Sequence, residues 1–263
     1  MARPPRPHKP QQSQPPRRAP QEDTEKVAGL PAVQALFARD PGRVLRLFFD
    51  DRTKQQSGEF CKIMAAARKP YRHVSTDELT KVAGTPLHGG ILAVTRPKPV
   101  ATFDAETAKL WAKAGKPLVI LDGVGNPHNL GAIVRTMAFF GLDKLLVSDH
   151  PGQAVPSEAA FRVAEGGLEW VDVMRVRNLA AELKRLRPFY RVVGTALGAH
   201  RPLAQVLAKG DRPLAIVLGN EEDGLPPATL AACEEVATLP GSGRVQSLNV
   251  AATAAILVHL LAG

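Results

Sequence analysis

Short runs of branched aliphatic residues, each followed by a segment with helical patterning, recur along the chain from residue 117 onward. Strands that are apolar along their whole length and alternate with helices are typical of a parallel sheet covered on both faces. We therefore predict an α/β fold, in which ligands bind beyond the carboxyl ends of the strands. The predicted strands are PLVILD, KLLVSD, YRVVGTA, PLAIVLG and EVATLP.

A second, smaller unit is predicted over residues 22–96. Helical patterns there alternate with strand-like runs, which favours a compact α/β/α sandwich. Residues 97–116 are predicted to be a linker with a short helix, because Pro97 and Pro99 interrupt any continuous element at its start. The helical patterns are KVAGLPAVQALFAR and SGEFCKIMAAARK, and the strand-like runs are RVLRLFFD and GGILAVT.

The chain begins with a basic segment, residues 1–21, that is rich in Pro, Gln and Arg. With few large apolar side chains it cannot offset the entropy of ordering, so we predict a disordered tail. It would serve as an RNA-contacting arm or as a plain solubilising tail. The formal net charge of +9 favours phosphate-rich partners, although part of the excess lies in this tail. A basic protein with no such partner is the alternative.

Several classes of protein are disfavoured by what the sequence contains. No apolar run reaches the roughly 18 residues that a membrane span needs, and no apolar segment follows the basic N-terminus as in a secretory signal. The cysteines, Cys61 and Cys233, show no C-x-x-C spacing, which argues against a disulfide framework or a zinc site. We expect a cytoplasmic protein with no metal and no membrane association.

The stretch DGVGNPHNLGAIVRT, residues 122–136, begins like a dinucleotide-binding loop. The third glycine of G-x-G-x-x-G is replaced by His128, which weakens a dinucleotide-dependent oxidoreductase as an interpretation. A helix is predicted to start near Asn129, a good capping residue, and Arg135 points away from its apolar face. Simple capping by Asn129 and a solvated Arg135 are the plain alternatives. The predicted apolar face is Leu130, Ile133, Val134, Met137 and Ala138.

Two later stretches add unusual patterns at strand ends. VLGNEEDGLP places Gly219, Glu221 and Gly224 after a strand, which alone is typical of an ordinary turn. In LPGSGRVQSLNVAATAAIL a loop of small residues enters an Ala-rich helix that carries Ser247 and Asn249 near its start. Ser247 could be only the helix cap, but the small residues also permit close approach of a backbone or a flat ligand.

Together the three blocks resemble the SpoU/TrmH family of RNA ribose 2′-O-methyltransferases over residues 117–263. DGVGNPHNLG, with AEGG at 164–167, is most similar to the YfiF-like branch. Residues 22–96 resemble the L30e-like substrate-binding domain of many members, except that HGG at 88–90 replaces the expected HQG. The family motifs are N-x-G-x-x-x-R (Asn129, Gly131, Arg135), G-x-E-x-x-G (Gly219, Glu221, Gly224) and S-L-N (Ser247, Leu248, Asn249).

The resemblance implies a parallel-sheet catalytic domain whose C-terminal part forms a trefoil knot that binds S-adenosylmethionine. It implies a homodimer that acts on rRNA or tRNA, with no DNA and no membrane as partners. Donor contacts are implied for Thr195, Gly219, Leu239 and Leu248.

Catalytic roles are implied for five side chains. Arg135 would either activate the ribose 2′-hydroxyl or hold a substrate phosphate and stabilise the oxyanion. Asn129 would orient Arg135 or the ribose, and Glu221 would orient neighbouring groups or only fix its loop. Ser247 and Asn249 would position the substrate or order the knot.

One alternative from another class is a non-catalytic RNA-binding or ribosome-assembly factor on the same scaffold. The basic tail and the L30e-like unit would suffice for that function. The presence of Asn129, Arg135 and Glu221 favours the enzyme.

Overall fold

The computed structural model describes residues 23–198, 201–207, 210–220 and 222–262. The predicted disordered tail and Glu221 lie outside these ranges. Two sheets organise the described chain, one of four strands and one of eight.

The N-terminal unit is built on the four-stranded sheet, with strand order β1-β4-β2-β3. Strands β1 and β2 pair antiparallel with β4, and β3 pairs parallel with β2. The elements are β1 (Glu25–Ala28), α1 (Leu30–Arg39), a 3-10 helix (Pro41–Arg43), β2 (Val44–Phe49), α2 (Gly58–Ala66), β3 (Tyr71–His73), α3 (Thr76–Ala83) and β4 (Ile91–Thr95).

The start of KVAGLPAVQALFAR is a strand, so the prediction of a helix over the whole run is wrong. The break lies at Gly29, whose φ of 93° is incompatible with a right-handed helix. Pro31 then stands in the first turn of α1, where its missing N–H is tolerated. The residues before Gly29 are therefore free to pair with β4 as β1.

The C-terminal unit is built on the eight-stranded sheet, in which every pair of neighbouring strands is parallel. The strand order is β10-β12-β9-β11-β6-β7-β8-β5. The strands are β5 (Ala101–Thr102), β6 (Leu118–Asp122), β7 (Lys144–Ser148), β8 (Asp172–Val176), β9 (Arg191–Thr195), β10 (Arg201–Pro202), β11 (Leu214–Gly219) and β12 (Glu235–Thr238). The helices are α4 (Ala105–Lys113), α5 (Pro127–Phe139), α6 (Glu158–Ala164), α7 (Gly167–Trp170), α8 (Leu179–Leu186), α9 (Leu203–Leu207), α10 (Pro227–Ala232) and α11 (Val250–Ala262).

The predicted α/β class with a parallel sheet is confirmed, and both faces of the sheet are covered. Along β6, Val119 and Leu121 point into one apolar core, while Leu118 and Ile120 point into the other. Since successive side chains of a strand point to opposite faces, a strand buried on both sides needs an unbroken apolar run.

Helix α5 starts at Pro127, two residues before the predicted start. Its cap is Asn126, whose side-chain oxygen accepts a hydrogen bond from the His128 N–H at 2.8 Å. Asn129 therefore lies in the first turn and does not cap the helix. Gly131 faces α6, where an added Cβ would lie 2.6 Å from the carbonyl oxygen of Ala160. The glycine of the first motif thus permits close packing of two helices.

The two units pack directly on each other through α1, α6 and α7. The turn between α6 and α7 lies in this junction. A Cβ on Gly166 would lie 2.9 Å from the Cβ of Ala35 in α1, and one on Gly167 would lie 3.2 Å from the Cα of Arg135 in α5. The AEGG sequence therefore fits between the N-terminal unit and the helix that carries Arg135.

Within the described ranges, no helix is both long and apolar enough to cross a bilayer.

Candidate functional site

A large cleft opens at the carboxyl ends of β9, β11 and β12. Its volume is about 1180 Å³, and three loops that follow these strands line most of it. Ligands of open parallel sheets bind at such an edge. We name it the donor cleft. Its lining includes the apolar residues Leu203, Leu218, Leu225, Leu230, Leu239, Leu248, Val250 and Leu257.

The four residues predicted to contact the methyl donor all line this cleft. Thr195, Gly219, Leu239 and Leu248 come from three separate loops, and Ser247 stands beside them. The Thr195 hydroxyl donates to the backbone oxygen of Val217 at 3.0 Å, which fixes the end of β9 against β11. The structure brings these residues together, while their roles stay predictions.

The turn after β11 requires glycine at both motif positions that the structure describes. Asn220 and Gly224 exchange two backbone hydrogen bonds of 3.0 Å, and Gly224 has a φ of 71°. A Cβ on Gly219 would lie 2.6 Å from the backbone nitrogen of Leu225. The turn therefore folds back tightly on the strand end and forms one wall of the cleft. Glu221, which follows Asn220 in the sequence, lies outside the described residues.

The first and third motifs meet through their asparagines. The Asn249 side-chain nitrogen donates to the Asn129 side-chain oxygen at 3.1 Å. The other end of the Asn249 amide accepts from the Ala251 N–H at 2.8 Å, so Asn249 caps α11. Ser247 lies before that cap and lines the cleft, so the capping alternative for Ser247 is wrong.

Arg135 lies on the exposed side of α5 and does not appear among the described residues that line the donor cleft. Its guanidinium forms an ion pair of 3.0 Å with Glu165, and about half of each side chain is exposed. The pair sits in a groove of about 420 Å³ between the two units, next to Phe139 and Trp170. Within one chain, Arg135 and the donor cleft are therefore separate.

Two residues of this region were not predicted from the sequence. Asn220 donates to the Gly123 backbone oxygen at 2.9 Å and accepts from the Glu222 N–H at 2.7 Å, which ties the motif-two turn to the loop after β6. An asparagine directly after a strand was the available signal. Glu165, the partner of Arg135, adopts a left-handed φ of 45° beside Gly166, and no local pattern predicts its contact with α5.

Two family models match the chain. The SpoU rRNA Methylase family matches residues 116–259, and the RNA 2′-O ribose methyltransferase substrate binding family matches residues 26–101. The first match contains all three motifs. The second covers the N-terminal unit.

The sequence similarity to curated proteins extends over most of the chain. The 23S rRNA (guanosine-2′-O-)-methyltransferase RlmB of Acinetobacter baylyi is 35% identical over 236 residues, which span 88% of this chain and 94% of that protein. The protein of Escherichia coli O157:H7 called Uncharacterized tRNA/rRNA methyltransferase YfiF is 33% identical over 89% of this chain and 66% of its own length.

Solved structures share the fold. An rRNA methyltransferase from Sinorhizobium meliloti superposes with a TM-score of 0.74 at 19% identity, covering 91% of this chain and 87% of its own. The SpoU methyltransferase AviRb from Streptomyces viridochromogenes, in complex with AdoMet, gives 0.72 at 20% identity over 91% and 89% of the two chains. Since the SpoU rRNA Methylase model spans more than half of the sequence, this chain belongs to the SpoU rRNA methylase family.

Proposed function

We propose that this chain transfers a methyl group from S-adenosylmethionine to a ribose 2′-hydroxyl in rRNA or tRNA. The observation that carries the proposal is the donor cleft, where two loops of the family motifs meet at the carboxyl ends of the parallel strands β11 and β12, which lie on either side of β9. The relatives' names support RNA as the substrate class, and the contact between Asn129 and Asn249 links the first motif to this cleft.

The residues of the cleft fit S-adenosylmethionine. Its apolar side chains suit an adenine ring, which backbone N–H and C=O groups can read, and Gly241 and Gly243 leave room for the chain to surround it. Glu222 and Asp223 add negative charge at the same cleft, which suits a cationic donor. When bound, the donor supplies a methyl group on an electron-poor sulfonium.

The chain's own side chains would prepare the nucleophile. A ribose hydroxyl reacts once its proton leaves, so the site must stabilise the developing oxyanion and align it with the methyl group. Arg135 fits that task as a fixed cation, or it holds a neighbouring phosphate. A literal base role would need a deprotonated guanidinium, which is unfavourable in proteins. Asn129 and Asn249 would position the ribose, and Ser247 would contact it from the cleft.

A homodimer would bring Arg135 to a donor cleft. Phe139 follows Arg135 by one helical turn and is 81% exposed, and Ile256 and Leu260 of α11, the helix packed on α5, are exposed as well. The two helices pack together there, with the Phe140 and His259 rings 5.2 Å apart. Such an apolar face is typical of an interface with another subunit. In a two-fold dimer, Arg135 of one subunit would serve the partner's cleft.

The predicted domain scheme and the knot belong to the same proposal. We assign residues 22–96 to RNA binding, 97–116 to a linker and 117–263 to catalysis, although β5 and α4 of the linker segment pack with the larger sheet. A trefoil knot is supported by the path of the C-terminus. After β12, beyond β9 in the sheet, the chain returns to pack α11 against α5, which follows β6.

Replacing Gly219 with alanine is expected to weaken binding of S-adenosylmethionine about tenfold or more, because forcing atoms into a packed site costs about 1–3 kcal/mol. The added methyl would meet the backbone of Gly224 and Leu225 and push the turn away from β11. Isothermal titration calorimetry measures the change. The control is Gly58→Ala at the start of α2, outside the donor cleft, since no other part of the described chain lies within 4 Å of its Cβ position. Equal affinities for both variants would contradict this account of the turn.

The proposed reaction is tested with purified protein, labelled S-adenosylmethionine and deproteinised rRNA or tRNA. We expect label at a ribose 2′-oxygen, at a site that is unmethylated in RNA from cells lacking the protein. Donor binding without any transfer to these RNAs would overturn the proposed reaction. RNA binding under the same conditions would then favour the assembly-factor alternative.

A further inference from the structure

A buried polar cluster lies in the N-terminal unit at the carboxyl end of β2, away from the donor cleft. Asp50 is 1% exposed and His88 is fully buried, yet both are polar. Burying such groups is unfavourable unless hydrogen bonds satisfy them. Both side chains bond to Arg52, whose own side chain is 52% exposed.

The Asp50 carboxylate holds Arg52 by both backbone and side chain. It accepts from the Arg52 backbone N–H at 2.9 Å, from Nε at 3.0 Å and from Nη2 at 2.7 Å, and also from the Thr76 hydroxyl at 3.0 Å. Burial opposes ionisation, but the hydrogen bonds from Arg52 and Thr76 outweigh it and hold the pKa of Asp50 below its usual value. A charged carboxylate therefore fixes the guanidinium along two of its nitrogens.

His88 holds the same guanidinium from the other side. Its Nδ1 lies 3.3 Å from the Gly90 N–H and 3.4 Å from Arg52 Nη2, and its Nε2 lies 3.1 Å from the Thr80 hydroxyl. Because Nδ1 faces two donors, it must be an acceptor, so Nε2 carries the proton and donates to Thr80. Burial and the Arg52 charge lower the pKa of His88, which favours this neutral imidazole.

The second glycine of HGG completes the cluster. Gly90 has a φ of 86°, and a Cβ there would lie 2.9 Å from Asp50 Oδ1 and from Thr53 Cγ2. The Gly90 carbonyl accepts from the Thr53 hydroxyl at 2.7 Å. The HGG segment therefore packs against the loop that presents Arg52, and a side chain at Gly90 would displace it.

The surface around Arg52 fits a nucleic acid. Asp50 and His88 engage Nε and Nη2, while within the described chain Nη1 has no hydrogen-bond partner and remains for an outside ligand. The neighbouring edge strand β3 consists of three exposed residues, Tyr71, Arg72 and His73. His73 lies next to the Arg52 loop, with its Nε2 2.8 Å from Asp51 Oδ1, and Arg72 lies 3.5 Å from Glu78. A guanidinium held in place on the same sheet edge as an exposed arginine and an exposed aromatic ring is the chemistry that binds an RNA backbone.

We propose that Arg52 is a phosphate-binding residue of the N-terminal unit, held by Asp50 and His88 so that its Nη1 amino group contacts a backbone phosphate of the substrate RNA. The proposal rests on the proposed function only in taking RNA as the ligand. Asp50 and His88 are positioning residues. Burying polar side chains is unfavourable, and holding Arg52 in place accounts for their burial here.

The test is the salt dependence of RNA binding without methyl donor. The probe is the tightest-binding transcript from a set that tiles 16S and 23S rRNA. Each phosphate contact contributes about 0.7–0.9 to the slope of log K against log salt, so Arg52→Ala should lower the slope by that amount. The control is Lys62→Ala, which removes a cation of the same unit whose side chain is 74% exposed. It should leave the slope unchanged.

Two more variants separate positioning from folding. Arg52→Lys keeps the charge but cannot make the paired contacts to Asp50, so we expect a nearly unchanged slope with weaker binding. His88→Gln should also weaken binding through Arg52, and it should have no further effect in the Arg52→Ala background. Thermal unfolding checks that each variant folds.

Two outcomes would overturn the proposal. One is a slope for Arg52→Ala equal to that of the unmodified protein. The other is a decrease of the slope for Lys62→Ala as large as that for Arg52→Ala, which would indicate that the total charge of the unit, and not a specific contact, determines binding. The binding assay contains no methyl donor, so its outcome does not depend on catalysis. A protein that binds RNA through Arg52 but never methylates it would refute the proposed reaction and still support the phosphate contact.

Discussion

Replacing Arg135 with lysine is expected to reduce single-turnover methyl transfer by about 10² to 10³ while S-adenosylmethionine binds as before. The reduction follows from both roles considered for this arginine. A lysine places a single ammonium group where the planar guanidinium presents two parallel N–H donors. Neither a phosphate nor an oxyanion is then held in the same geometry. Donor affinity should persist because Arg135 does not line the described donor cleft.

The measurement combines quenched single-turnover kinetics with donor calorimetry. Arg162→Lys is a suitable control, since Arg162 is an exposed arginine on the adjoining helix α6. Glu165→Gln tests the ion pair alone by removing the charge that faces Arg135 at 3.0 Å. If Arg135→Lys transfers methyl groups at a near-normal rate, Arg135 neither activates the hydroxyl nor binds the reacting group.

Mixing subunits distinguishes action within a chain from action across a dimer. If Arg135 serves the partner's cleft, a heterodimer of Arg135→Lys and Gly219→Ala contains one cleft in which both the glycine and the facing arginine are intact. At a donor concentration well below the Kd of the Gly219→Ala variant, both parent proteins transfer little, and activity should then reappear on mixing them. If each subunit acts alone, every cleft in the mixture is defective and no activity returns.

The sequence predicted best those strands that are buried on both faces. An unbroken apolar run such as residues 118–121 is required by the two cores and leaves little ambiguity. Strands β5 and β10 have two residues each, too few to form a pattern. Strand β8 was missed because exposed Asp172 and Arg175 interrupt it.

The gathering of the second and third motifs was predictable for a related reason. Loops that follow parallel strands meet at one edge of the sheet, so Gly219 and Leu239 were expected to share a site. The pairing of Asn129 with Asn249 spans 120 residues and depends on how α11 packs against α5. The contact between Arg135 and Glu165 likewise depends on tertiary packing, which side-chain periodicity does not specify.

The junction between the two units should be the most sensitive point for stability. Arg43, in the 3-10 helix before β2, forms an ion pair of 2.5 Å with Glu169 of α7, and both side chains are at most 5% exposed. Nε and Nη1 of Arg43 have no hydrogen-bond partner in the described chain. The Glu169 carboxylate is therefore the main group that offsets the cost of burying the Arg43 charge. Lys98 lies farther away, at 4.0 Å from Glu169, and burial lowers its pKa.

Replacing Glu169 with glutamine is therefore expected to lower the free energy of unfolding by about 3–5 kcal/mol, since it leaves a buried guanidinium without its counter-charge. Urea denaturation measures the loss. Glu182→Gln, which breaks an exposed ion pair with Arg185, should change stability by less than about 1 kcal/mol.

A double replacement distinguishes the net contribution of the ion pair to the free energy of unfolding from the cost of leaving one buried charge unpaired. Arg43→Met with Glu169→Leu removes both charges and keeps apolar volume, so its stability should lie close to that of the unmodified protein or above it. If this double variant folds stably but methylates RNA poorly, the ion pair serves mainly to set the N-terminal unit in place beside α5. If Glu169→Gln alone unfolds at the same urea concentration as the unmodified protein, the junction does not depend on this pair.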